Sequence, residues 1–240
     1  MIIGIYGYQD SGKTKIVEQL VSALVKKGYR VASIKHTSGD WTLDQKGKDT
    51  WRHREAGSNP VVFSSASETS IMVQPSMDLD RITGLLSREF NPDIIIIEGY
   101  KKGRFPKVAM GEIKPLSGTV LRNPNPKTLL HYVEREVALE KINQILPGLD
   151  CGRCGLDCEG LARAVADGKK KLSECRELSG SDVRITVDGK RIATGRFVAE
   201  VAEKTIRGMV SSFKGYVPGK DVEIRLHVKK KSPKKVRRPR

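Results

Sequence analysis

The chain has 240 residues, of which 38% are hydrophobic and 30% charged, and its formal net charge is +16. That length suits two domains, since one domain typically spans ~100–200 residues, and no apolar stretch reaches the ~20 residues that a bilayer crossing needs. An aromatic content of 5% argues against rows of base-stacking side chains of the kind that grip single-stranded nucleic acid.

Residues 1–6, Met1-Ile2-Ile3-Gly4-Ile5-Tyr6, read as a first strand. From Lys13 to Lys27, apolar residues at Ile16, Val17, Leu20, Val21, Leu24 and Val25 recur at helical spacing, and Gly28 ends the helix. Val31 to Ile34 is a second strand, leading into Lys35-His36-Thr37. A polar connection from Ser38 to Gly47 precedes a short helix over Lys48–Ala56, closed by Gly57. Strand-like runs follow at Pro60–Phe63 and Thr69–Val73, then a crossover helix at Asp80–Phe90. Ile94-Ile95-Ile96-Ile97 suits a strand buried on both faces, as in a parallel sheet with helices above and below. Further strands are expected at Val108–Ile113 and Gly118–Leu121, a turn cluster at Asn123-Pro124-Asn125-Pro126, and a helix over Leu129–Leu146. The alternation predicts an α/β domain over residues 1–148 with a mostly parallel sheet.

Pro147-Gly148 marks the expected seam. Residues 149–228 read as a small α+β domain: the chain's four cysteines, then a hairpin of Val183–Val187 and Ile192-Ala193 around Asp188-Gly189. An amphipathic helix from about Phe197 to Phe213 and a closing strand at Val222–Val228 complete it. Residues 229–240, KKKSPKKVRRPR, carry eight Lys or Arg and no acid, half of the excess charge. This tail is expected to be solvated and disordered, its functional reading being a contact with a polyanion. The N-terminus shows no basic n-region followed by an apolar h-region and a cleavage site, so a cytoplasmic protein is expected.

Between the first strand and first helix lies Gly7-Tyr8-Gln9-Asp10-Ser11-Gly12-Lys13-Thr14, the G-x-x-x-x-G-K-T spacing of a P-loop. The glycines let backbone N–H groups turn inward toward phosphate oxygens, and the helix adds its positive end. Lys13 is expected to reach the β- and γ-phosphates, and the Thr14 hydroxyl to ligate Mg²⁺. Such a site needs a carboxylate on a neighbouring strand, and Glu98, directly after the four isoleucines, is the candidate. Lys101 and Lys102 follow at the same rim, facing an anionic substrate or simply solvated. Lys35 and His36 end a strand on the presumed ligand side, while Asp44 is a candidate carboxylate of a lid or switch.

Together, "GYQDSGKT", "SIKHT", "TLDQKGKDTWRHREAGS" and "DIIIIEGYKKGRFPKV" resemble, in order and interval, the MobB family of molybdopterin-guanine dinucleotide biosynthesis proteins. The resemblance covers roughly residues 1–110. It implies a GTP-binding P-loop NTPase fold with weak GTPase activity, commonly dimeric, assisting the MobA-like nucleotidyltransferase that joins GMP to a molybdenum or tungsten pterin cofactor. By position, Gly7 to Thr14 would bind phosphates, Thr14 and Glu98 would serve Mg²⁺, and Asp44 would lie in a switch-like loop. Lys13, Asp44 and Glu98 are the expected catalytic set. Lys15 departs from the family, which often has a second Thr there, and no N-K-x-D guanine-reading motif is present. Preference for GTP over ATP therefore rests on the resemblance. A small-molecule kinase with Arg52 and Arg54 as a lid, a metallochaperone GTPase, and an RNA-stimulated NTPase using the tail are the rival readings.

The cysteines fall as Cys151-x2-Cys154-x3-Cys158, with Cys175 sixteen residues on. In a reducing compartment this argues for a metal site over disulfides. Three clustered thiolates and a distant fourth suit the corners of an iron–sulfur cubane better than paired zinc knuckles, zinc remaining the alternative. The block is similar to [4Fe–4S] modules that begin C-G-x-C-G, with Leu161 to Gly168 resembling the helix between their third and fourth ligands.

Overall fold

The computed structural model describes residues 1–178, 183, 185–187 and 190–224. The basic tail and the Asp188-Gly189 turn lie outside the described residues. By contacts the chain forms two compact units, one of Met1–Leu146 with Asp150–Arg176, the other of Pro147–Leu149 with Glu177 onward. This division does not coincide with a seam at residue 148: the cysteine segment packs with the first unit. Among the described residues no helix is long and apolar enough to cross a membrane.

The first unit is built on strands β1 (Ile2–Gly7), β2 (Val31–Lys35), β5 (Ile94–Glu98), β6 (Lys107–Met110) and β7 (Thr119–Arg122). They form one parallel sheet in the order β2-β5-β1-β6-β7. All residues of β5 are buried, as its unbroken isoleucine run predicts. Helix α1 (Lys13–Lys26) sends Ile16, Val17, Leu20 and Leu24 into the core, where Leu129, Val133 and Val137 of α4 (Pro126–Ile145) meet them. Beyond α1, Gly28 and Tyr29 donate to the carbonyls of Val25 and Leu24, and the glycine takes φ +84°. That closes the helix in a Schellman motif and lays Tyr29 against the core.

Helix α4 begins before the expected Leu129. The Asn125 side chain accepts the Thr128 N–H at 2.9 Å, so the run read as a turn is the cap and first turn, with Pro126 in the position where its missing N–H costs nothing. Strands β3 (Val61–Ser64) and β4 (Thr69–Met72) pair antiparallel with each other, apart from the parallel sheet. Short helix α2 (Asp49–Glu55) precedes them, and α3 (Leu79–Phe90) is capped by Asp78. Helix α5 (Cys158–Ala166) buries Leu161 and Ala162 and packs on α4, where Arg135 meets Asp167 at 2.9 Å.

In the second unit, β8 (Thr186–Val187) pairs with β9 (Lys190–Arg191), and α6 spans Arg196–Ser211. The second arm of the hairpin thus starts before Ile192. Residues 222–224 carry no regular structure, so the expected closing strand is absent there, and its remainder lies outside the described residues.

Asp93 ties three elements of the first unit together at the start of β5. Its carboxylate accepts the Arg30 backbone N–H at 2.8 Å and pairs with Lys141 of α4 at 2.7 Å. Burial works to raise its pKa, but the hydrogen bonds and charges of Lys141 and Arg30 together hold it below the ordinary value. A carboxyl depressed in the folded state contributes stability above its unfolded pKa of about 4, and that stability is lost as pH falls through the folded value. Asp93→Asn is expected to cost about 1–3 kcal/mol at neutral pH. Thermal melts across the acid range should also show a shallower decline for the variant; parallel curves would contradict this account.

Candidate functional site

The phosphate loop leaves the central strand β1 at Gly7 and enters α1 at Lys13. A Cβ on Gly7 would lie 2.4 Å from both the Met110 carbonyl oxygen and the Ser11 Oγ, so only glycine lets the loop turn this close to β6. Ser11 Oγ donates to the Tyr8 carbonyl at 2.8 Å. Lys13 Nζ donates to the same carbonyl and approaches Ser11 Oγ at 3.4 Å, which places the ammonium over the loop itself. Tyr8, Gln9, Asp10 and Lys15 are exposed.

Parallel pairing sets Lys35 of β2 opposite Glu98 of β5, and Glu98 beside Ile5 of β1. Glu98 is 6% exposed. Its Oε1 accepts the Thr14 hydroxyl at 2.9 Å and pairs with the Lys35 ammonium. A buried carboxylate, a helix-start hydroxyl and a counter-charge therefore converge at the carboxyl ends of adjacent strands, where open α/β sheets bind ligands. Gly99 follows with φ +92°, and a Cβ there would meet the His36 carbonyl oxygen at 2.4 Å. His36 donates its backbone N–H to the Glu98 carbonyl at 2.8 Å, and its ring meets Tyr100 edge-on at 4.8 Å. Lys101 Nζ lies 5.5 Å from the centre of the Tyr8 ring.

The structure thus brings together Lys13, Thr14, Lys35, His36, Glu98 and Lys101. It places Asp44 differently. Asp44 accepts the Thr50 hydroxyl at 2.7 Å and forms an ion pair with Arg54 at 3.0 Å, both from α2. The ion pair is not aligned as a hydrogen bond, so the buried Oδ2 has no hydrogen-bond donor. Among the described residues its contacts tether the 38–48 connection to α2, and none reaches the phosphate loop. Arg54, one of the two cations available for a kinase-type lid, is engaged in that pair.

Sequence patterning missed Lys107. It is 3% exposed on β6, and its ammonium donates to the carbonyls of Gly103 at 2.7 Å and Ser117 at 3.0 Å, fastening the loop that follows Glu98. Its neighbours Phe105 and Val108 disguise it as a charge at a strand edge. Beside the same loop a cavity of about 420 Å³ opens between Asp78, Asp80, Tyr100, Gly103, Arg104 and Phe105. Of its lining residues, Tyr100, Gly103, Arg104 and Phe105 fall within the DIIIIEGYKKGRFPKV run, whereas Asp78 and Asp80 carried no sequence signal for it.

Cys151 and Cys154 occupy a tight loop in which Gly152 and Gly155 both take positive φ and the Gly155 N–H bonds the Gly152 carbonyl at 2.8 Å, and Cys158 is the first residue of α5. Asp150 accepts the Cys158 N–H at 2.9 Å and Asp157 caps α5 through Gly160. Cys175 is buried after a single 3₁₀ turn, Leu172–Glu174, that packs on α5. The Lys170 ammonium donates to Glu174 at 2.7 Å, and that hydrogen bond is the chief reason its pKa lies above the ordinary value. The four cysteines form no disulfide, and among the described residues no three His, Cys, Asp or Glu side chains converge closely enough to hold a metal. The donor set nevertheless fits a thiolate-bound cluster: two thiols on a glycine-hinged loop, a third at the start of α5 and a fourth at the end of the adjoining turn. A metal bound here would be held by these sulfurs in their deprotonated form, so its binding would release protons.

Two family models match the chain. Residues 2–130 match "Molybdopterin guanine dinucleotide synthesis protein B" (MobB), and residues 146–176 match "Putative Fe-S cluster". A protein of Methanocaldococcus jannaschii named "Putative molybdopterin-guanine dinucleotide biosynthesis adapter protein" is 33% identical over 239 residues, covering 95% of this chain and 98% of that protein. The molybdopterin-guanine dinucleotide biosynthesis adapter protein of Haemophilus influenzae is 34% identical over 111 residues, 45% of this chain and 62% of its own length. A component of the ion-translocating oxidoreductase complex of Rhodobacter capsulatus is 40% identical over 57 residues, 23% of this chain and 30% of that protein.

Proposed function

The chain belongs to the MobB family, and from that premise we propose that it is a GTP-binding adapter in molybdopterin guanine dinucleotide formation, with an iron–sulfur segment built into its nucleotide unit. The observation that carries the nucleotide reading is the convergence of Thr14 and Lys35 on the buried Glu98 beside the Gly7–Thr14 loop. In this reading the loop N–H groups and Lys13 hold the phosphates, while the Thr14 hydroxyl and Glu98 serve Mg²⁺, which supplies charge neutralisation of the phosphates. Lys35 stabilises the Glu98 carboxylate before the metal arrives. Hydrolysis is slow in this reading, because among the described residues neither an arginine finger nor a glutamine poised for the attacking water can be named, and Gln9 of the loop itself is exposed. Lys101, at 5.5 Å from Tyr8, adds a cation at the rim.

The cysteine segment holds a [4Fe–4S] cluster through Cys151, Cys154, Cys158 and Cys175. The adapter acts in the cytoplasm as a homodimer alongside a MobA-like nucleotidyltransferase and its molybdopterin-type substrate. Titration of the full chain with fluorescent GTP and ATP analogues, with and without Mg²⁺, tests the nucleotide reading. Tighter, Mg²⁺-dependent binding of GTP is the expected outcome, and Glu98→Gln should remove most of the Mg²⁺ dependence. Equal affinity for the two nucleotides, or no effect of Mg²⁺, would overturn it.

A further inference from the structure

We propose that the cavity beside the Gly99–Phe105 loop binds a pterin ring, reading its 2-amino-4-oxo edge. The cavity, about 420 Å³, falls within the range of small-molecule sites, ~300–1,000 Å³. Its walls are of three chemical kinds. Tyr100 and Phe105 supply aromatic surface, their ring centres 6.3 Å apart and tilted by 36°. Phe105 is firmly seated: Cβ atoms built on Gly4 and Gly103 would fall 2.6 and 2.3 Å from its ring, so both glycine backbones press against it. Lys107 stands 5.2 Å from the ring centre and holds the loop by its carbonyls.

The polar walls are as specific. Asp78 commits one carboxylate oxygen to capping α3 at the Arg81 N–H. Asp80 has no side-chain partner among the described residues, and neither has Arg104. A carboxylate only accepts hydrogen bonds, and a guanidinium only donates them. A flat ligand with paired N–H donors on one edge for Asp80 and oxygen or ring-nitrogen acceptors, or an anionic substituent, for Arg104 would match these walls. The 2-amino-4-oxo pyrimidine ring shared by pterin and guanine has that pattern.

Pterin is the occupant because the loop leaves β5, on the β2 side of the phosphate loop, at the rim where Lys101 and Lys102 add positive charge for an anionic substituent. Tyr100, one wall of the cavity, meets the His36 ring at 4.8 Å, so the cavity shares a wall with the Glu98 site and would hold a second ligand beside it. This deepens the adapter reading and rests on it for the choice between the two heterocycles.

The test uses the full chain and the intrinsic fluorescence of 6-hydroxymethylpterin, with GMP titrated in parallel. Asp80→Asn and Arg104→Ala change exposed side chains without core contacts. Each is expected to weaken pterin binding by about tenfold or more while leaving GTP affinity unchanged, and Lys13→Ala should do the reverse. Absence of pterin binding, or equal binding by both variants and the parent, would overturn the proposal. A variant-sensitive site that takes GMP instead of pterin would also overturn it and make guanine the occupant. Failure of the adapter reading is separate: the parent chain would not bind GTP, whatever the pterin titration showed.

Discussion

Replacing Lys13 with alanine is expected to lower affinity for GTP by about 100-fold, equivalent to about 2.8 kcal/mol. The size follows from the type of contact, since hydrogen bonds from an ammonium to phosphate oxygens are charge-assisted and roughly twice as strong as neutral ones. The variant should remain folded. Among the described residues the Lys13 ammonium donates only to the Tyr8 carbonyl and Ser11 Oγ of its own loop, and the Tyr8 carbonyl keeps the Ser11 hydroxyl as a donor at 2.8 Å after truncation. Nor does the helix start depend on it, because the Ile16 N–H bonds the Gly12 carbonyl at 3.1 Å. Calorimetric titration with GTP and Mg²⁺, beside a thermal melt, would separate the two effects. Unchanged affinity with an unchanged melt would remove Gly7–Thr14 as the nucleotide site, and a lowered melt would call for Lys13→Met as the second variant.

What could be read from the residues divides along a physical line. The first strand, first helix and isoleucine strand were legible because each declares itself by local periodicity or an unbroken apolar run. Glu98 was legible as the polar end of that run, and the structure pairs it with Thr14 across 84 positions of sequence. The start of α4 was hidden by two prolines that read as breakers, although the capping oxygen of Asn125 makes the second of them the first helical residue. Lys107 was hidden because a buried ammonium satisfied by backbone carbonyls has no signature in its neighbours. Asp44 is the opposite case, a residue whose position says less than its contacts. A carboxylate in a long polar connection suggested chemistry, yet its contacts are the Thr50 hydroxyl and Arg54 of the next helix. The pairing of β3 with β4 outside the parallel sheet depends on where the chain returns, which short alternating runs do not encode.

The cysteine segment leads to the second large effect. Helix α5 begins at Cys158, its Leu161 and Ala162 are buried, and α4, on which it packs, also lies against α1, the helix that continues from the phosphate loop. A cluster held by these thiols would therefore brace α4 and, through it, the nucleotide unit, contributing metal-binding free energy to its folding. Protein purified anaerobically is expected to contain iron and acid-labile sulfide with broad visible absorption. Cys175→Ser should lose most of that iron, since this buried thiol is the one ligand remote in sequence from the segment that carries the other three. Removing iron should then speed amide exchange in residues 150–176 and the facing side of α4 while β1 and β5 stay protected. Stoichiometric zinc without colour would overturn the iron–sulfur assignment, whereas iron whose removal left exchange in α4 unchanged would show that the cluster and the nucleotide core are mechanically separate. The Arg135–Asp167 contact at 2.9 Å gives the second outcome a direct control: it joins the same two elements without involving any cysteine, so its loss in Asp167→Asn should loosen α5 in metal-bound and metal-free protein alike.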